Sequence, residues 1–318
     1  MVPPLITLEE HYLSPEIRKT LKHDPYTTFP PQMVQKLLDL SSGRLSEMDA
    51  GGVTYQIISH GPLDASPSAC TAANTALAAA IKAHSSRLGA FAMLPMSDPS
   101  AAATELKRAV TDLGFHGALI NNHLHGRFYD DEFFWPVFAA AEETGAPLYI
   151  HPTFAADEWM GHYAGNFSDH AARAMSIAGW GWHSETGLHV LRLWTAGVFD
   201  RFPRLKVVVG HMGEMLPFQF DRIEPMSRGW ARRERDLKTV FRENFWITTS
   251  GMFSQAPLSC LLRTTPVERI LYSVDYPFST NEKGLKFVEE LKGSDLLKKG
   301  DLEKICYGNA QELFGIKV

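Results

Sequence analysis

Two carboxylates and two imidazoles in this sequence stand at the ends of apolar runs that are typical of buried strands. Glu9 and His11 end the first run, His151 ends the fifth and Asp275 ends the eighth. A single divalent ion such as Zn²⁺ or Mn²⁺ accepts ligands of these types, with Mg²⁺ as an alternative. We therefore predict a site for one divalent metal ion made of these four residues.

The Glu9-Glu10-His11 segment places two of the ligands on one face of a strand. Side chains alternate along a strand, so Glu9 and His11 point the same way and Glu10 points the opposite way. Glu10 would then lie outside the metal site, where it can orient a ligand or pair with a base. A single histidine at a strand end, or an aspartate shortly before a proline, is often structural. Four such residues at the ends of three strands favour metal binding.

His211 and Glu214 form a second group that could do chemistry. His211 ends the sixth apolar run, and the spacing places Glu214 on the first turn of a helix. A carboxylate there can fix the tautomer of the imidazole and raise its basicity, as an acid–base pair requires. We predict His211, Glu214 and Asp275 as the catalytic residues, with Asp275 as the proton donor. The alternative is that Glu214 caps the helix and His211 only supports the site.

Three further residues are candidates for contact with a substrate. Phe278 follows Asp275 in the same loop and Phe253 follows the seventh apolar run, so both could form apolar walls. Arg222 lies in the helical stretch after the sixth run and could bind a carboxylate or a neighbouring subunit. Ordinary packing and a surface ion pair are the alternatives for these residues.

The elements that must position these residues alternate regularly between apolar runs and helical stretches. The apolar runs predict strands at 5–8, 54–59, 88–94, 117–121, 147–151, 205–211, 245–249 and 270–275. The stretches between them predict helices at 33–50, 72–84, 101–113, 131–144, 185–199 and 283–291. Continuous apolar runs are typical of strands buried on both faces of a parallel sheet. Eight such units without a GxGxxG turn favour an α/β fold of the (β/α)₈ TIM-barrel type, in which the carboxyl ends of the strands share one site.

The chain of 318 residues, 45% hydrophobic and 21% charged, fits one large barrel. We expect residues 1–318 to form a single catalytic domain. The longest gap between predicted strands is 152–204, which is more than one helix needs. We expect a long loop there that forms a lid or a wall of the site.

Charge, hydropathy and cysteine content exclude several classes of partner. A formal net charge of −5 gives no attraction to nucleic acid or to an anionic membrane surface. The apolar stretches are too short to predict a signal peptide or a membrane span. Cys70, Cys260 and Cys306 lie far apart, which argues against a disulfide framework or a thiolate zinc site and favours the cytoplasm.

Six short segments carry a resemblance to a known family: 8–11 (LEEH), 149–152 (YIHP), 199–206 (FDRFPRLK), 210–214 (GHMGE), 248–251 (TTSG) and 273–277 (SVDYP). They resemble segments of the amidohydrolase-related, metal-dependent decarboxylases. Within that group the chain is most similar to the γ-resorcylate (2,6-dihydroxybenzoate) decarboxylases and their salicylate and dihydroxybenzoate relatives. The resemblance extends over essentially the whole chain.

This resemblance implies a (β/α)₈ fold, one divalent ion, and reversible non-oxidative decarboxylation of a hydroxybenzoate-type acid to CO₂ and a phenol. It also implies a homodimer or homotetramer. By position, the implied metal ligands are Glu9, His11, His151 and Asp275, and the implied active-site pair is His211 with Glu214. Segments 59–64 and 180–183 do not match the γ-resorcylate enzymes, which leaves the ring substituents of the substrate open.

The ends of the first and fourth predicted strands indicate one ion rather than two. Binuclear amidohydrolases typically have His-x-His on strand one and a bridging lysine on strand four. Here strand one offers Glu9-x-His11, and strand four ends in Asn121 and Asn122.

Two other functions remain compatible with these residues. In a mononuclear hydrolase of a lactone, an amide or a related small molecule, Asp275 would act as a base on water instead of as an acid toward carbon. In a non-catalytic, metal-stabilised barrel that serves binding or assembly, His211 and Glu214 would not be needed. The Glu9-x-His11 start and the 11% aromatic content favour decarboxylation of a flat aromatic acid.

Overall fold

The computed structural model describes residues 2–22 and 24–318. This part of the chain contains nine strands, all paired in parallel and in sequence order. They are β1 (Leu5–Tyr12), β2 (Val53–His60), β3 (Leu88–Ala90), β4 (Ala92–Met93), β5 (Ala118–Asn121), β6 (Leu148–His151), β7 (Val207–Val209), β8 (Phe245–Thr248) and β9 (Ile270–Leu271). The first predicted strand therefore continues past its predicted end and includes the Glu9–His11 segment.

The third predicted strand is divided into β3 and β4 by the single residue Phe91. The amide of Phe91 donates to the carbonyl of Ile58 in β2 (2.8 Å), and the amide of Ala92 donates to the carbonyl of Gly117 (2.9 Å). At Phe91 the pairing therefore changes: β3 pairs with β2, and β4 pairs with β5. Together β3 and β4 occupy one strand position of the barrel, here called a stave. The sheet therefore has the eight staves that the alternation predicts.

The last stave returns to the first and closes the sheet. Tyr276, just after β9, forms a parallel bridge with Glu10 of β1. The amide of His11 donates to the carbonyl of Tyr276 (2.7 Å). These contacts join the two ends of the sheet, and the predicted (β/α)₈ barrel is confirmed.

Helices cover the outside of the barrel between successive strands. The α-helices are Pro15–Arg18, Pro31–Leu38, Ser42–Ala50, Pro67–Ile81, Pro99–Thr111, Trp135–Thr144, Met160–Tyr163, Asp169–Met175, Gly181–Ala196, Val198–Arg201, Leu216–Ser227, Leu237–Asn244, Gln255–Thr264, Asn281–Lys292, Asp301–Glu303 and Asn309–Phe314. His211–Glu214 is a short turn with positive φ angles. The 3₁₀ segments are Pro25–Thr28, Lys82–His84, Glu132–Phe134, Asp157–Trp159 and Val267–Arg269, and Lys304–Gly308 is a π-helix.

Two segments differ from the predicted helices and loops. The predicted helix 33–50 is two helices, because the Asp39 side chain accepts hydrogen bonds from the amides of Ser41 and Arg44 and ends one helix before the next begins. Segment 152–204, predicted as a long loop, is largely helical. It contains short helices between 157 and 175 before the 16-residue helix Gly181–Ala196.

The apolar core has two layers. One layer fills the barrel, where nearly every stave contributes a buried side chain: Ile6, Leu8, Ile57, Phe91, Leu119, Tyr149, Val208 and Leu271. The larger layer lies between the strands and the surrounding helices. Strands buried on both faces explain the continuous apolar runs in the sequence. Within the described residues, no helix is both long enough and apolar enough to span a membrane.

Asn74 connects the helix Pro67–Ile81 to the divided stave. Its side chain donates to the carbonyl of Met93 (2.9 Å) and accepts from the amide of Met93 (2.9 Å). It also donates to the buried carboxylate of Glu105 (2.7 Å). The side chain thereby pairs backbone groups of β4, a strand of only two residues.

We predict that Asn74→Ala lowers the free energy of unfolding by about 2–4 kcal/mol, because it leaves buried backbone and carboxylate groups without partners. Urea denaturation measures this change. Asn166→Ala, at an exposed asparagine, is the control and should change stability by no more than about 0.5 kcal/mol. Equal stability of the two variants would contradict the role of Asn74.

Candidate metal centre and active site

A β-bulge in β1 sets the orientation of the first predicted ligand. The pairing of β1 with β2 shifts register between Thr7 and Glu10, so β1 has one extra residue there. The consecutive amides of Leu8 and Glu9 both donate to the hydroxyl of Ser273 (3.1 and 2.8 Å). A bulge re-aims the side chains that follow it. Leu8 therefore packs in the barrel interior while Glu9 enters the polar layer above it.

The four predicted metal ligands come together at the carboxyl end of the barrel. Glu9, His11, His151 and Asp275 each offer one ligand atom, and these atoms all lie within 4.8 Å of one another. Glu9 Oε1 is 3.2 Å from His151 Nε2, and His11 Nε2 is 3.4 Å from Asp275 Oδ1. Glu9 and His11 are fully buried, whereas the Asp275 side chain is 18% exposed.

The state of these donor atoms fits a divalent cation. Glu9 Oε1 and His11 Nε2 are buried and have no hydrogen-bond partner. His151 donates from Nδ1 to the carbonyl of Pro152 (2.6 Å), which leaves the Nε2 lone pair facing the cluster. Burial lowers the pKa of His11 and so favours its neutral, ligating form. Two carboxylates and two imidazole lone pairs thus converge on one point.

Glu9 is held by groups on the far side of its carboxylate. The hydroxyl of Tyr149 donates to Glu9 Oε2 and lies 3.0 Å from the hydroxyl of Thr248. Burial opposes ionisation of Glu9, but the charge of His211 lowers its pKa well below the ordinary value.

Glu10 points away from the metal ligands, as alternation predicts. It is fully buried and faces the loop that follows β9, where the amides of Val274 and Tyr276 donate to its carboxylate (3.0 and 3.1 Å). Burial acts to raise the pKa of Glu10, whereas these hydrogen bonds and one from Ser273 act to lower it and favour the carboxylate form.

The segment His211–Glu214 is a left-handed turn and not the first turn of a regular helix. The φ angles of His211, Met212, Gly213, Glu214 and Met215 all lie between 49° and 91°. This conformation is strained for residues other than glycine, and such strain concentrates at functional sites. The regular helix begins only at Leu216. The prediction that Glu214 lies on a helical turn is wrong, but the turn still brings it to His211.

His211 and Glu214 form the expected pair, and His183 extends it. Glu214 Oε1 is 2.8 Å from His211 Nδ1, and Glu214 Oε2 is 2.7 Å from His183 Nδ1. His183 Nε2 lies 2.9 Å from the carbonyl of Ala178. On the other side, His211 Nε2 is 3.7 Å from Glu9 Oε1 and therefore faces the metal ligands.

The charges around this pair favour an imidazolium–carboxylate form. Burial lowers the pKa of His211, but the nearby carboxylates of Glu9, Glu214 and Asp275 raise it well above the ordinary value. Burial likewise opposes ionisation of Glu214, while His211 and His183 lower its pKa. The Nε2 atom of His211 thus faces the carboxylates of Glu9 and Asp275.

The candidate substrate contacts occupy different places. The ring of Phe278 lies 5.6 Å from that of His11, so it borders the metal centre. Phe253 is partly buried and packs on Phe287, with ring centroids 5.7 Å apart. Arg222 is exposed on the helix Leu216–Ser227 and, among residues 2–22 and 24–318, takes part in no ion pair.

An apolar chamber of about 780 Å³ opens beside His211. Its walls include Met212, Met215, Phe218 and Met252. A smaller cavity of about 330 Å³ lies at the ends of β2, β5 and β6, against Asn121 and the buried His123. Of these two cavities, the chamber is the one lined by the predicted catalytic residue His211.

Sequence reasoning did not assign His183, Tyr149 or Ser273 to the site. Tyr149 lies two residues before His151 and therefore on the same face of β6. This spacing could have predicted that Tyr149 lies near the metal ligands. His183 stands in segment 180–183, which sequence reasoning did not match to the γ-resorcylate enzymes, and nothing in its spacing indicates a contact with Glu214. The bond of Ser273 to β1 joins residues 264 positions apart, which no local pattern encodes.

The fold and site agree with the comparisons to known proteins. Residues 40–316 match the amidohydrolase family, and the chain belongs to that family. Among its relatives, decarboxylase orsB of Emericella nidulans is 46% identical over 99% of this chain and 98% of its own length.

Two solved structures share the whole architecture. A 2,6-dihydroxybenzoate decarboxylase complexed with 2,6-dihydroxybenzoate is 32% identical, with a TM-score of 0.87, over 98% of this chain and 99% of the other. A dihydroxybenzoic acid decarboxylase from Polaromonas sp. JS666, with bound manganese and the inhibitor 2-nitroresorcinol, is 31% identical. Its TM-score is 0.85, over 98% of this chain and 97% of the other.

Gly210 provides a test of how Glu9 is positioned. A Cβ atom at this position would lie 2.9 Å from Glu9 Oε2 and 3.0 Å from the Tyr149 hydroxyl, although φ is an ordinary −82°. We predict that Gly210→Ala displaces Glu9 and weakens Mn²⁺ binding by about 10-fold or more, measured by calorimetric titration.

The matched control is Gly161→Ala, where a Cβ atom meets nothing within 4 Å. Its Mn²⁺ affinity should equal that of the unaltered protein. Unchanged affinity in Gly210→Ala would show that Glu9 is not held by this close packing.

Proposed function

We propose that this protein is a metal-dependent carboxy-lyase that removes CO₂ from a hydroxybenzoate-type acid and releases a phenol. The observation that carries the proposal is the position of His211, which faces the four-ligand cluster on one side and Glu214 on the other. The relatives named as decarboxylases, one of them bound to 2,6-dihydroxybenzoate, support the same reaction.

The proposed resident ion is one divalent metal, Mn²⁺ or Zn²⁺, held by Glu9, His11, His151 and Asp275. The manganese in the Polaromonas relative supports this choice. When bound, such an ion would supply Lewis acidity that favours the ionised phenol of an ortho-hydroxy acid.

Asp275 is the proposed proton donor to the ring. It is the most exposed of the four ligands and stands at the open side of the cluster. Its carboxyl proton is transferred to the ring carbon that bears the carboxylate, which interrupts aromaticity. The bond between that carbon and the carboxylate then breaks, its electron pair returns to the ring, and CO₂ leaves.

His211 is proposed to donate a hydrogen bond to a substrate oxygen. Its Nε2 lies 3.9 Å from Asp275 Oδ2, so a substrate next to Asp275 is also within reach of His211. Glu214 fixes the ring of His211 through Nδ1, and His183 in turn holds the second oxygen of Glu214. The positive charge on His211 would offset negative charge on the acid and its phenol oxygen.

We predict that the Mn²⁺-loaded protein releases CO₂ from at least one member of a panel of ortho-hydroxybenzoates. Asp275→Asn should abolish turnover, because the amide has no proton of suitable acidity, while circular dichroism shows an unchanged fold. Removal of the ion by a chelator should also abolish CO₂ release, and added Mn²⁺ or Zn²⁺ should restore it.

The control is Asp130→Asn, which alters a carboxylate paired with Arg192 on the protein surface. Its turnover should match that of the unaltered protein. A metal-loaded protein that hydrolyses a lactone or an amide but releases no CO₂ from any phenolic acid would contradict the proposed function.

We further propose that the protein forms a homodimer or homotetramer through an apolar face around the chamber. Phe218 lines this chamber and is 81% exposed. Met226 and Trp230 follow it along the chain and are about half exposed, and so is Trp180 next to Ala178 and Gly179 of the chamber wall. Exposed apolar patches of this kind mark interaction surfaces, and a second copy would also cover Arg222.

We predict that Phe218→Asp dissociates the oligomer, because it places a charge in an apolar contact. Analytical ultracentrifugation measures the change in mass. Phe133→Asp, at a second exposed phenylalanine, should keep the mass of the unaltered protein. A monomeric unaltered protein would contradict this part of the proposal.

The proposed location is the cytoplasm. All three cysteines are free thiols, and Cys70 and Cys306 are buried. This is the state expected in a reducing compartment.

A further inference from the structure

The fully buried carboxylate of Glu10 takes no part in the reaction proposed above. It lies between two metal ligands in sequence, yet its side chain faces the opposite way, into the seam where the barrel closes. A buried carboxylate is costly unless its oxygens are well paired. Its partners therefore indicate what it does.

One set of partners lies on both sides of Asp275. Glu10 Oε1 accepts from the amide of Val274 (3.0 Å), and Glu10 Oε2 accepts from the amide of Tyr276 (3.1 Å). Asp275 itself has a φ of 68°, a conformation that residues other than glycine rarely adopt. The two hydrogen bonds grip the residues before and after this strained position and hold Asp275 toward the cluster.

A second partner connects Glu10 to the bulge that presents Glu9. The hydroxyl of Ser273 donates to Glu10 Oε1 (2.9 Å). The same hydroxyl oxygen accepts the amides of Leu8 and Glu9. Because its single proton is used by Glu10, the oxygen lone pairs are left free for the two amides. Glu10 thus fixes the orientation of the hydroxyl on which the bulge depends.

A third connection leads to His11 through Gln56 and Arg44. Gln56 donates to Glu10 Oε2 (3.4 Å) and accepts from Arg44 Nη1 (2.9 Å). Arg44 is fully buried, and its Nη2 donates to the carbonyl of His11 (2.6 Å). The guanidinium also lies over the ring of Tyr276, 4.8 Å from its centroid. The buried guanidinium of Arg44 therefore holds the backbone of His11 directly. Through Gln56 it also holds the carboxylate of Glu10, which positions Glu9 and Asp275.

We propose that Glu10 is a positioning residue that sets the relative geometry of Glu9, His11 and Asp275, and that Gln56 and Arg44 keep its carboxylate in place. This role rests on the metal centre of the proposed function. It adds a group that contacts neither the ion nor the substrate. Groups that orient metal ligands typically change metal affinity by about 10- to 100-fold when they are altered.

The test is a double-mutant cycle on Glu10 and Gln56, with Mn²⁺ affinity and the electron paramagnetic resonance spectrum of bound Mn²⁺ as readouts. Glu10→Gln puts an amide donor against one of the two backbone amide donors and should weaken Mn²⁺ binding by at least about 10-fold. Gln56→Glu places a second carboxylate against Glu10 and should also weaken Mn²⁺ binding relative to the unaltered protein. In the double variant the two side chains exchange donor and acceptor, so affinity should recover at least about 5-fold relative to Gln56→Glu.

The control is Glu105→Gln, which alters another buried carboxylate with side-chain donors from Thr71, Asn74 and Arg108. It should lower thermal stability but leave Mn²⁺ affinity and the spectrum unchanged. If Glu10→Gln behaves like Glu105→Gln in both readouts, or if the effects of the two substitutions on affinity simply add, the positioning role is wrong. If Glu10→Gln does not fold, the Mn²⁺ affinity of Gln56→Glu against that of Glu105→Gln decides the question.

These readouts need no substrate, which separates this proposal from the proposed function. An unaltered protein that binds Mn²⁺ and releases no CO₂ contradicts the proposed function, and the affinities still decide the role of Glu10. An unaltered protein that binds neither Mn²⁺ nor Zn²⁺ overturns both.

Discussion

Two consecutive backbone amides share one hydroxyl in this protein, and the geometry of the candidate metal centre depends on that contact. In a regular strand the amides of Leu8 and Glu9 would point to opposite sides, but the bulge turns both toward Ser273. Leu8 can therefore fill the barrel interior while Glu9, the next residue, forms part of the polar layer. Without the extra residue, one of the two would have to leave its layer.

The parts of the fold that follow from local chemistry could be predicted from sequence. Strands buried on both faces are continuous apolar runs, so the eight staves were recognisable, and polar residues at their ends meet in one place in a barrel. Glu9, His11, His151 and Asp275 were found for this reason, and they lie together. The bulge could not be found this way, because its acceptor is 264 residues away along the chain.

The turn at 211–215 shows where local patterns fail. The sequence between His211 and Leu216 has the spacing of a helix start, and only Gly213 favours a positive φ. Five successive left-handed residues are stable only because the surrounding structure holds them, including the bond of Glu214 to His183, 31 positions earlier. This strained turn brings the imidazoles of His211 and His183 to the carboxylate of Glu214. A regular helical turn is therefore not required for this contact.

The four candidate ligands lie on β1, on β6 in the middle of the chain and in the loop after β9, so the cluster exists only when the two ends of the barrel have met. Contacts across such separations require closure of a loop of nearly the whole chain, and a folding chain makes them late. An ion bound there interacts with the closed barrel and not with a partly folded one. It would therefore slow the opening of the barrel with little effect on the rate of its assembly, so the loaded protein would resist unfolding kinetically.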